Sequence, residues 1–429
     1  AVDDLRPQLN CYGKNQIISP NIDDLSSVSY TYENAVCNFP VCGASRASLL
    51  TGLRPNQNRF KSYSTRMDVD ADNILTIGEW FKKNEYFTLS LGKISHHNND
   101  SPESWSIPAW RATKKWRDYQ TKENLSAIDT NNNDGAAKAF EVGEDLIDEY
   151  ADTKMVNKAI EKLDELLEKK QPFFMAIGFL KPHLPFNAPK KYWDLYNEKD
   201  IELASNRFQP KNAPDVSMHK YGELRKYTNI PTDKNIEISD STQKKLIHGY
   251  YACVSYIDEE IGRLIKHLKK LAIYENSIIV LWGDHGWQLG EHNLWAKHCN
   301  YQTSLKVPLL IKYPKQKKQK RINTVVELLD IYPTLCELSN IEKPKHLQGK
   351  SLLQINRLDP KNVNGYSKYQ SGETITSIEK SYTEWRKKDK NFKANMMYDL
   401  VKDPNENINI SKNRENFNVI TKFQYFCLL

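Results

Sequence analysis

The sequence predicts an α/β fold: a large, mainly parallel sheet sandwiched by helices, with a small C-terminal α+β domain containing an antiparallel sheet. Three observations carry that expectation. Short apolar runs alternate with long amphipathic stretches through roughly the first 340 residues, as strand and helix alternate in a parallel sheet. Each apolar run is followed by polar residues at its C-terminal end, where open sheets of this kind bind ligands. After about residue 345 the texture changes to short, polar, aromatic-rich segments. The expected division is therefore residues 1–345 and 346–429.

In chain order, core strands are expected at residues 87–92, 173–179, 277–282 and 308–313, each a short apolar run. Helical periodicity marks residues 145–169, 241–271 and 325–338. Residues 131–134 read as a polar loop or insertion, and residues 365–385 as antiparallel hairpins. There is no internal repeat.

A chain of 429 residues can bury a large core. Its longest apolar stretches fall well short of the roughly 20 residues that cross a bilayer, so no membrane span is expected. The net charge of +7 is modest, and the one dense basic run, residues 315–321, reads as a solvated loop or a polyanion contact. No zinc-finger spacing, basic zipper or other nucleic-acid signature accompanies it, and a polyanionic carbohydrate suits the charge as well as DNA would. Besides Cys42 there are Cys11, Cys37, Cys253, Cys299, Cys336 and Cys427, too scattered to form a framework and expected to be mostly free, buried thiols. The chain opens on Ala1-Val2-Asp3-Asp4, which looks like the end of a strand. An upstream segment holding the rest of that strand and a secretion signal is expected, with a secreted, periplasmic or, in a eukaryote, lysosomal location.

The most informative run is Pro40-Val41-Cys42-Gly43-Ala44-Ser45-Arg46-Ala47-Ser48-Leu49-Leu50-Thr51-Gly52. A lone cysteine is most often a small buried hydrophobe. This one resembles the signature of the formylglycine-dependent type I sulfatases of the alkaline phosphatase superfamily, whose cysteine a formylglycine-generating maturation enzyme oxidises to an aldehyde. Ala44 stands where most members carry proline. The resemblance covers nearly the whole chain, most strongly residues 1–56, 74–106, 172–189, 246–313 and 397–404.

Adjacent Asp3 and Asp4 offer the hard oxygen donors that calcium or magnesium takes, although such a pair before a turn also serves as a cap. Gly283-Asp284-His285-Gly286-Trp287 follows an expected strand, and acidic groups at the ends of parallel strands converge across a sheet edge. The family's matching positions bind one divalent ion, usually Ca2+, with a formylglycine oxygen completing the shell. The resemblance thus implies Asp3, Asp4, Cys42, Asp284 and His285 as the metal group. His285 departs from the commoner asparagine, and imidazole is a softer donor than calcium prefers, so it is a poor ligand, a supporting group or the mark of a subfamily. Asp-His-Gly-Trp followed by Leu289-Gly290-Glu291-His292, like the opening Val2-Asp3-Asp4-Leu5-Arg6-Pro7, resembles the iduronate-2-sulfatase branch.

The remaining roles follow from the same resemblance. The hydrate of formylglycine at residue 42 attacks sulfur in line with the departing sugar oxygen, after the metal and Arg46 favour loss of one of its protons. Lys93 and Lys297 neutralise the sulfate oxygens, His183 protonates the leaving alcohol, and His96 takes the second hydroxyl's proton so that sulfate is released. Read singly, Lys93 is a surface charge, His96 beside His97 a loop pair, and Lys181-Pro182-His183 a strand-ending turn. Trp287 and His292 either line the pocket or pack. The substrate implied is a sulfated polysaccharide or oligosaccharide, cleaved by an exo-acting 2-O-sulfatase at a terminal uronic acid. Sulfatases of other glycans such as algal polysaccharides, phosphonate or phosphodiester hydrolases of the same fold, and an inactive glycan-binding relative are the alternatives. Residues 100–145 and 190–240 match the branch poorly and are where a different substrate would register.

Overall fold

The computed structural model describes residues 1–112, 116–130, 136–387 and 391–428; the loop expected at residues 131–134 and the side chain of Cys427 lie outside the described residues. The elements that build the site are β1 (Tyr30–Val36), α1 (Cys42–Thr51), β2 (Phe87–Gly92), α2 (Ala151–Lys169), β3 (Phe173–Gly178), α3 (Asp240–Lys270), β4 (Ile279–Trp282), β5 (Leu309–Lys312), β6 (Lys320–Glu327) and α4 (Ile331–Leu338). Val2 bridges in parallel to Phe179, just past β3, and to Gly283, just past β4. The central sheet therefore runs β2, β3, Val2, β4, β5, β1, β6, and every member points the same way except β5, which is antiparallel to both neighbours.

Side chains alternate along each strand between two cores, as a pleated ribbon requires. Leu310 joins the core under α2 and α3, whereas Leu309 and Ile311 join the one under α1 and α4. In α2 the buried residues Met155, Val156, Ala159, Leu163 and Leu166 form one stripe at helical spacing. Helix α3 begins where the hydroxyl of Ser239 accepts the N–H of Thr242 and presents Leu246, Tyr250, Val254, Ile257, Ile261 and Leu264 to the same core.

Two expected helices are shorter than their periodicity suggests. Residues 145–150 hold only the 3-10 turn Ile147–Glu149, and Tyr150 is extended, so α2 starts at Ala151. Residues 325–327 belong to β6, where β-branched Val325 and Val326 pair alongside Ala35 and Asn34 of β1, and helical geometry begins only afterwards. Of the basic run, Lys320 and Arg321 open β6, and Arg321 pairs with Glu33 at 2.6 Å. Cys11, Cys37, Cys42, Cys253, Cys299 and Cys336 are buried free thiols. Among the described residues no helix is long and apolar enough to cross a membrane.

A second, antiparallel sheet follows in chain order as β7 (Gly365–Tyr369), β8 (Gly372–Thr376), β9 (Lys380–Arg386) and β10 (Phe392–Asp399). It docks on the loop between β1 and α1, where the N–H of Lys368 donates to the Asn38 carbonyl at 2.8 Å. Glu406 ties the chain after β10 to β9 and to the short helix Gln302–Leu305 ahead of β5, accepting from the Gln302 N–H at 2.7 Å and the Ser381 hydroxyl at 2.8 Å. Burial pushes its carboxyl up from 4.5 to about 7. An acid raised on folding stabilises the protein while protonated, and that contribution is lost as pH rises from its unfolded to its folded value. Glu406→Gln, an isosteric neutral change, is expected to gain melting temperature relative to the parent between about pH 5 and about pH 8. A difference that is flat across that range would contradict the assignment.

Candidate active site

The C-terminal ends of β1, β2, β3 and β4 and the residues after Val2 open on one edge of the sheet. Every site residue expected from the sequence lies just beyond one of these ends or beyond the hairpin that follows β4. Gly92 makes one of the turns: its φ is +73°, and a Cβ there would lie 2.1 Å from the Gly178 carbonyl oxygen, so only glycine lets the chain swing Lys93 inward. Cys42 is the first residue of α1, where unpaired N–H groups and the helix dipole favour negative charge. Arg46 lies one turn further along the same face.

Asp3, Asp4, Arg46, Asp284 and His285 are completely buried. Arg46 donates from Nε to Asp284 Oδ2 at 2.8 Å, from one terminal nitrogen to Asp3 Oδ1 at 3.3 Å, and from the other to the carbonyls of Lys93 and Ile94. Lys93 Nζ pairs with Asp3 Oδ2 and stands 3.9 Å from Cys42 Sγ. Lys297 Nζ lies 3.0 and 3.3 Å from the two oxygens of Asp4 and 5.0 Å above the Trp287 ring. His96 Nδ1 is 3.4 Å from Cys42 Sγ. His183 donates from Nδ1 to the Leu184 carbonyl at 2.7 Å, which turns Nε2 toward Glu223 Oε1 at 3.3 Å and Asp4 Oδ2 at 3.9 Å. All ten expected residues thus meet in one cluster.

Burial would raise Asp3, but Lys93 and then Arg46 outweigh it and hold the carboxyl well below its ordinary value. Asp4 goes the other way: burial, reinforced by Asp3, Glu223 and Asp284, lifts it well above the usual range against the pull of Lys297. Burial together with Lys93 depresses His96 to about 3, leaving it a neutral base. Burial, then Lys297 and Lys93, also push His183 well below its ordinary value, with Asp3 and Glu223 opposing.

The two carboxylates of the donor set fit a divalent ion, and an oxygen in place of the residue 42 sulfur would harden it further. Asp3, Cys42, Asp284 and His285 each direct one donor atom into a space where all four lie within 4.8 Å of one another. His285 donates from Nδ1 to the Gly286 carbonyl at 3.0 Å, so the lone pair of a neutral ring is on Nε2. That atom has no hydrogen-bond partner among the described residues, yet it faces Asp4 Oδ1 at 3.3 Å and Asp284 Oδ1 at 3.7 Å. A lone pair and two carboxylates converging in a dry site repel one another unless a metal ion or a proton on the ring sits among them; burial opposes the charged ring, but Asp284 outweighs it and raises His285 above its ordinary value.

In front of the cage lies a cavity of about 930 Å³, with Cys42, Lys93, His96, His183 and Lys297 on its walls. Tyr63, Arg111, Trp116, Arg117, Glu223, Lys226 and His298 also line it, and sequence reasoning missed them. Trp116 stands edge-on to His183 with ring centroids 5.1 Å apart, and Arg111 donates to the carbonyls of Ser95 and His96. Only the poor match of residues 100–145 and 190–240 pointed toward most of these positions. Neither Trp287 nor His292 lines this cavity: Trp287 lies in the core beneath Lys297, and His292 packs at a tilt against Tyr301 and donates from Nε2 to the Asn405 carbonyl.

Comparison with known proteins gives a family model described as "Sulfatase" over residues 1–341 and one described as "N-sulphoglucosamine sulphohydrolase, C-terminal" over residues 290–425. Iduronate 2-sulfatase of Homo sapiens is 33% identical over 380 residues, covering 80% of this chain and 68% of that one. A sulfatase of Formosa agariphila is 31% identical, covering 96% of this chain and 82% of its own length. A structure solved with its substrate D-glucosamine-2-N,6-O-disulfate superposes with a TM-score of 0.78 at 20% identity, over 99% of this chain and 95% of that one. Phosphonate monoester hydrolase of Agrobacterium radiobacter gives 0.75 at 19% identity, over 100% and 94%.

Calcium added to chelator-treated protein is expected to raise the melting temperature, a ligand at a hundredfold excess over Kd being worth about 2.7 kcal/mol. Asp284→Asn, which keeps the volume but removes a charged donor, is expected to lose most of that increment. An equal calcium response in both proteins would contradict the cage.

Proposed function

The chain belongs to the sulfatase family and is a sulfuric ester hydrolase, and from that premise we propose that its substrate is a sulfated polysaccharide or an oligosaccharide derived from one. More narrowly, we propose an exo-acting 2-O-sulfatase that works on a terminal uronic acid. The observation that carries the chemistry is the floor of the cavity. There the side chain of residue 42 lies between His96 at 3.4 Å and Lys93 at 3.9 Å, against the carboxylate cage.

Cys42 Sγ marks where formylglycine would carry its oxygens. The hydrated aldehyde supplies a nucleophile that can later be released, and a divalent ion held by Asp3, Asp4, Asp284 and His285 would supply positive charge beside it. His96, neutral and turned toward residue 42, is suited to hold or take a proton there. Lys93 and Lys297 project from the cage into the cavity, where their ammonium groups would bind sulfate oxygens. Arg46 is completely buried and does not line the cavity, so its part is to fix the carboxylates of Asp3 and Asp284. His183 offers Nε2 toward the cavity as the candidate donor to the leaving alcohol, and the negative charge of a bound sulfate ester would favour a proton on that atom.

A cavity of about 930 Å³ is the size that encloses a small ligand, which supports action at chain ends. Iduronate 2-sulfatase likeness supports the uronic acid. One observation favours a different sulfated glycan: Arg111, Trp116, Arg117, Glu223, Lys226 and Tyr227 all come from the two segments that depart from that branch. Either glycan goes with a secreted, periplasmic or lysosomal site of action. In both cases the maturation enzyme is a required partner, and the reacting groups all fall within residues 1–345, the proposed catalytic domain.

Cys42→Ala is expected to lower sulfate release by about 10³-fold or more while leaving the melting temperature within about a degree; retained turnover would contradict the mechanism. In a panel of sulfated oligosaccharides, release from a terminal 2-O-sulfated uronic acid is expected. Release only from another glycan would replace the substrate and keep the class. Preference for an aryl phosphate over the matching aryl sulfate would overturn the reaction.

A further inference from the structure

Glu223 lies in residues 194–239, which carry only short 3-10 turns ahead of α3, yet its position is built rather than incidental. Arg225, two residues on and 6% exposed, donates to the carbonyls of Pro231, Asp233 and Ile236 at 2.6, 2.7 and 2.9 Å and to the Tyr221 hydroxyl at 2.7 Å. That guanidinium folds the segment back on itself and fixes where Glu223 enters the cavity. There a single oxygen, Oε1, stands 3.1 Å from Lys297 Nζ and 3.3 Å from His183 Nε2. The other oxygen makes no hydrogen bond among the described residues, and His298 Nδ1 lies 3.8 Å from it.

We infer that Glu223 is a positioning residue of the sulfatase reaction, holding Lys297 and His183 in register through one shared oxygen. An ammonium has three N–H donors. Asp4 takes one from Lys297 and Glu223 takes a second, which leaves the third for a sulfate oxygen in the cavity. His183 is fixed at Nδ1 by the Leu184 carbonyl, and the loop beneath it by Lys181, whose Nζ donates to the Pro185 carbonyl at 2.7 Å. In the charged ring the Nε2–H donates to Glu223 Oε1, which keeps the imidazole turned to the cavity until the leaving oxygen takes over that proton. Without it, Lys297 is held from one side only and the imidazole can rotate away from the departing alcohol.

The inference rests on His183 being the proton donor, and the test separates the two claims. A sugar sulfate has a poor leaving group and needs the donor, whereas 4-nitrophenyl sulfate leaves as a stable phenolate and does not. His183→Ala is expected to lower kcat about a hundredfold on the sugar sulfate and within about threefold on 4-nitrophenyl sulfate. Glu223→Ala is expected to show the same selectivity at roughly tenfold against threefold, and Glu223→Gln, which keeps the shape and an acceptor oxygen, to fall between it and the parent. Melting temperatures of both variants exclude simple unfolding. Equal losses on both substrates for Glu223→Ala, beside a selective His183→Ala, would overturn the inference alone. An unselective His183→Ala would remove the donor assignment and the inference with it.

Discussion

Three carboxylates, Asp3, Asp4 and Asp284, are buried beside three cations, Arg46, Lys93 and Lys297, and the rest of the site depends on that arrangement. Each charge is expensive to take out of water, and the pairs only offset that cost. What they confer is register. Asp3 and Asp4 follow the Val2 bridge, Arg46 is on α1, Lys93 follows β2, Asp284 follows β4 and Lys297 follows a hairpin beyond it. Removing one partner of a buried pair typically costs about 3–5 kcal/mol, so a shift of any one segment by a residue is heavily penalised. With Glu223 counted, the acids outnumber these permanent cations, which is why a divalent ion suits the site and why the loaded site would attract an anionic ester.

Floor and walls have different origins. The floor is made by the sheet edge, where strand ends and the first turn of α1 are held by two cores and cannot move independently. The walls come from long connections: residues 98 to 117 carry Arg111 and Trp116, and residues 219 to 227 carry Glu223 and Tyr227. On the proposed function, reaction chemistry falls to the strand-end layer and substrate choice to the loops, a division that would let pocket shape vary without disturbing the charges beneath. The clearest link between the layers is Glu223, a wall residue whose oxygen reaches two groups of the floor.

The strand at residues 173–178 was legible as a continuous apolar run, and the one at 87–92 by the alternation of Phe87, Leu89 and Leu91 with Thr88 and Ser90. Strand β1, between β5 and β6, was not, since Glu33 and Asn34 interrupt its apolar pattern and find partners in Arg321, Asn323 and Lys306. The site was legible where its residues sit in runs of fixed order, as at Cys42 to Gly52 and Gly283 to Trp287. Glu223 and His298 carry no such mark. Their place arises from an ion pair between segments far apart in sequence, which leaves no local spacing to read. Trp287, left open between pocket wall and packing by its place in a motif, proves to pack: its ring supports Lys297 from the core side.

The central claim is that residue 42 does the chemistry as an aldehyde, held by its neighbours in the geometry described. The most direct test is to prepare the protein with graded maturation, measure the aldehyde fraction by mass of the peptide containing residue 42, and plot specific activity against it. The account predicts a straight line through the origin. Turnover in a preparation whose residue 42 is entirely thiol would contradict it.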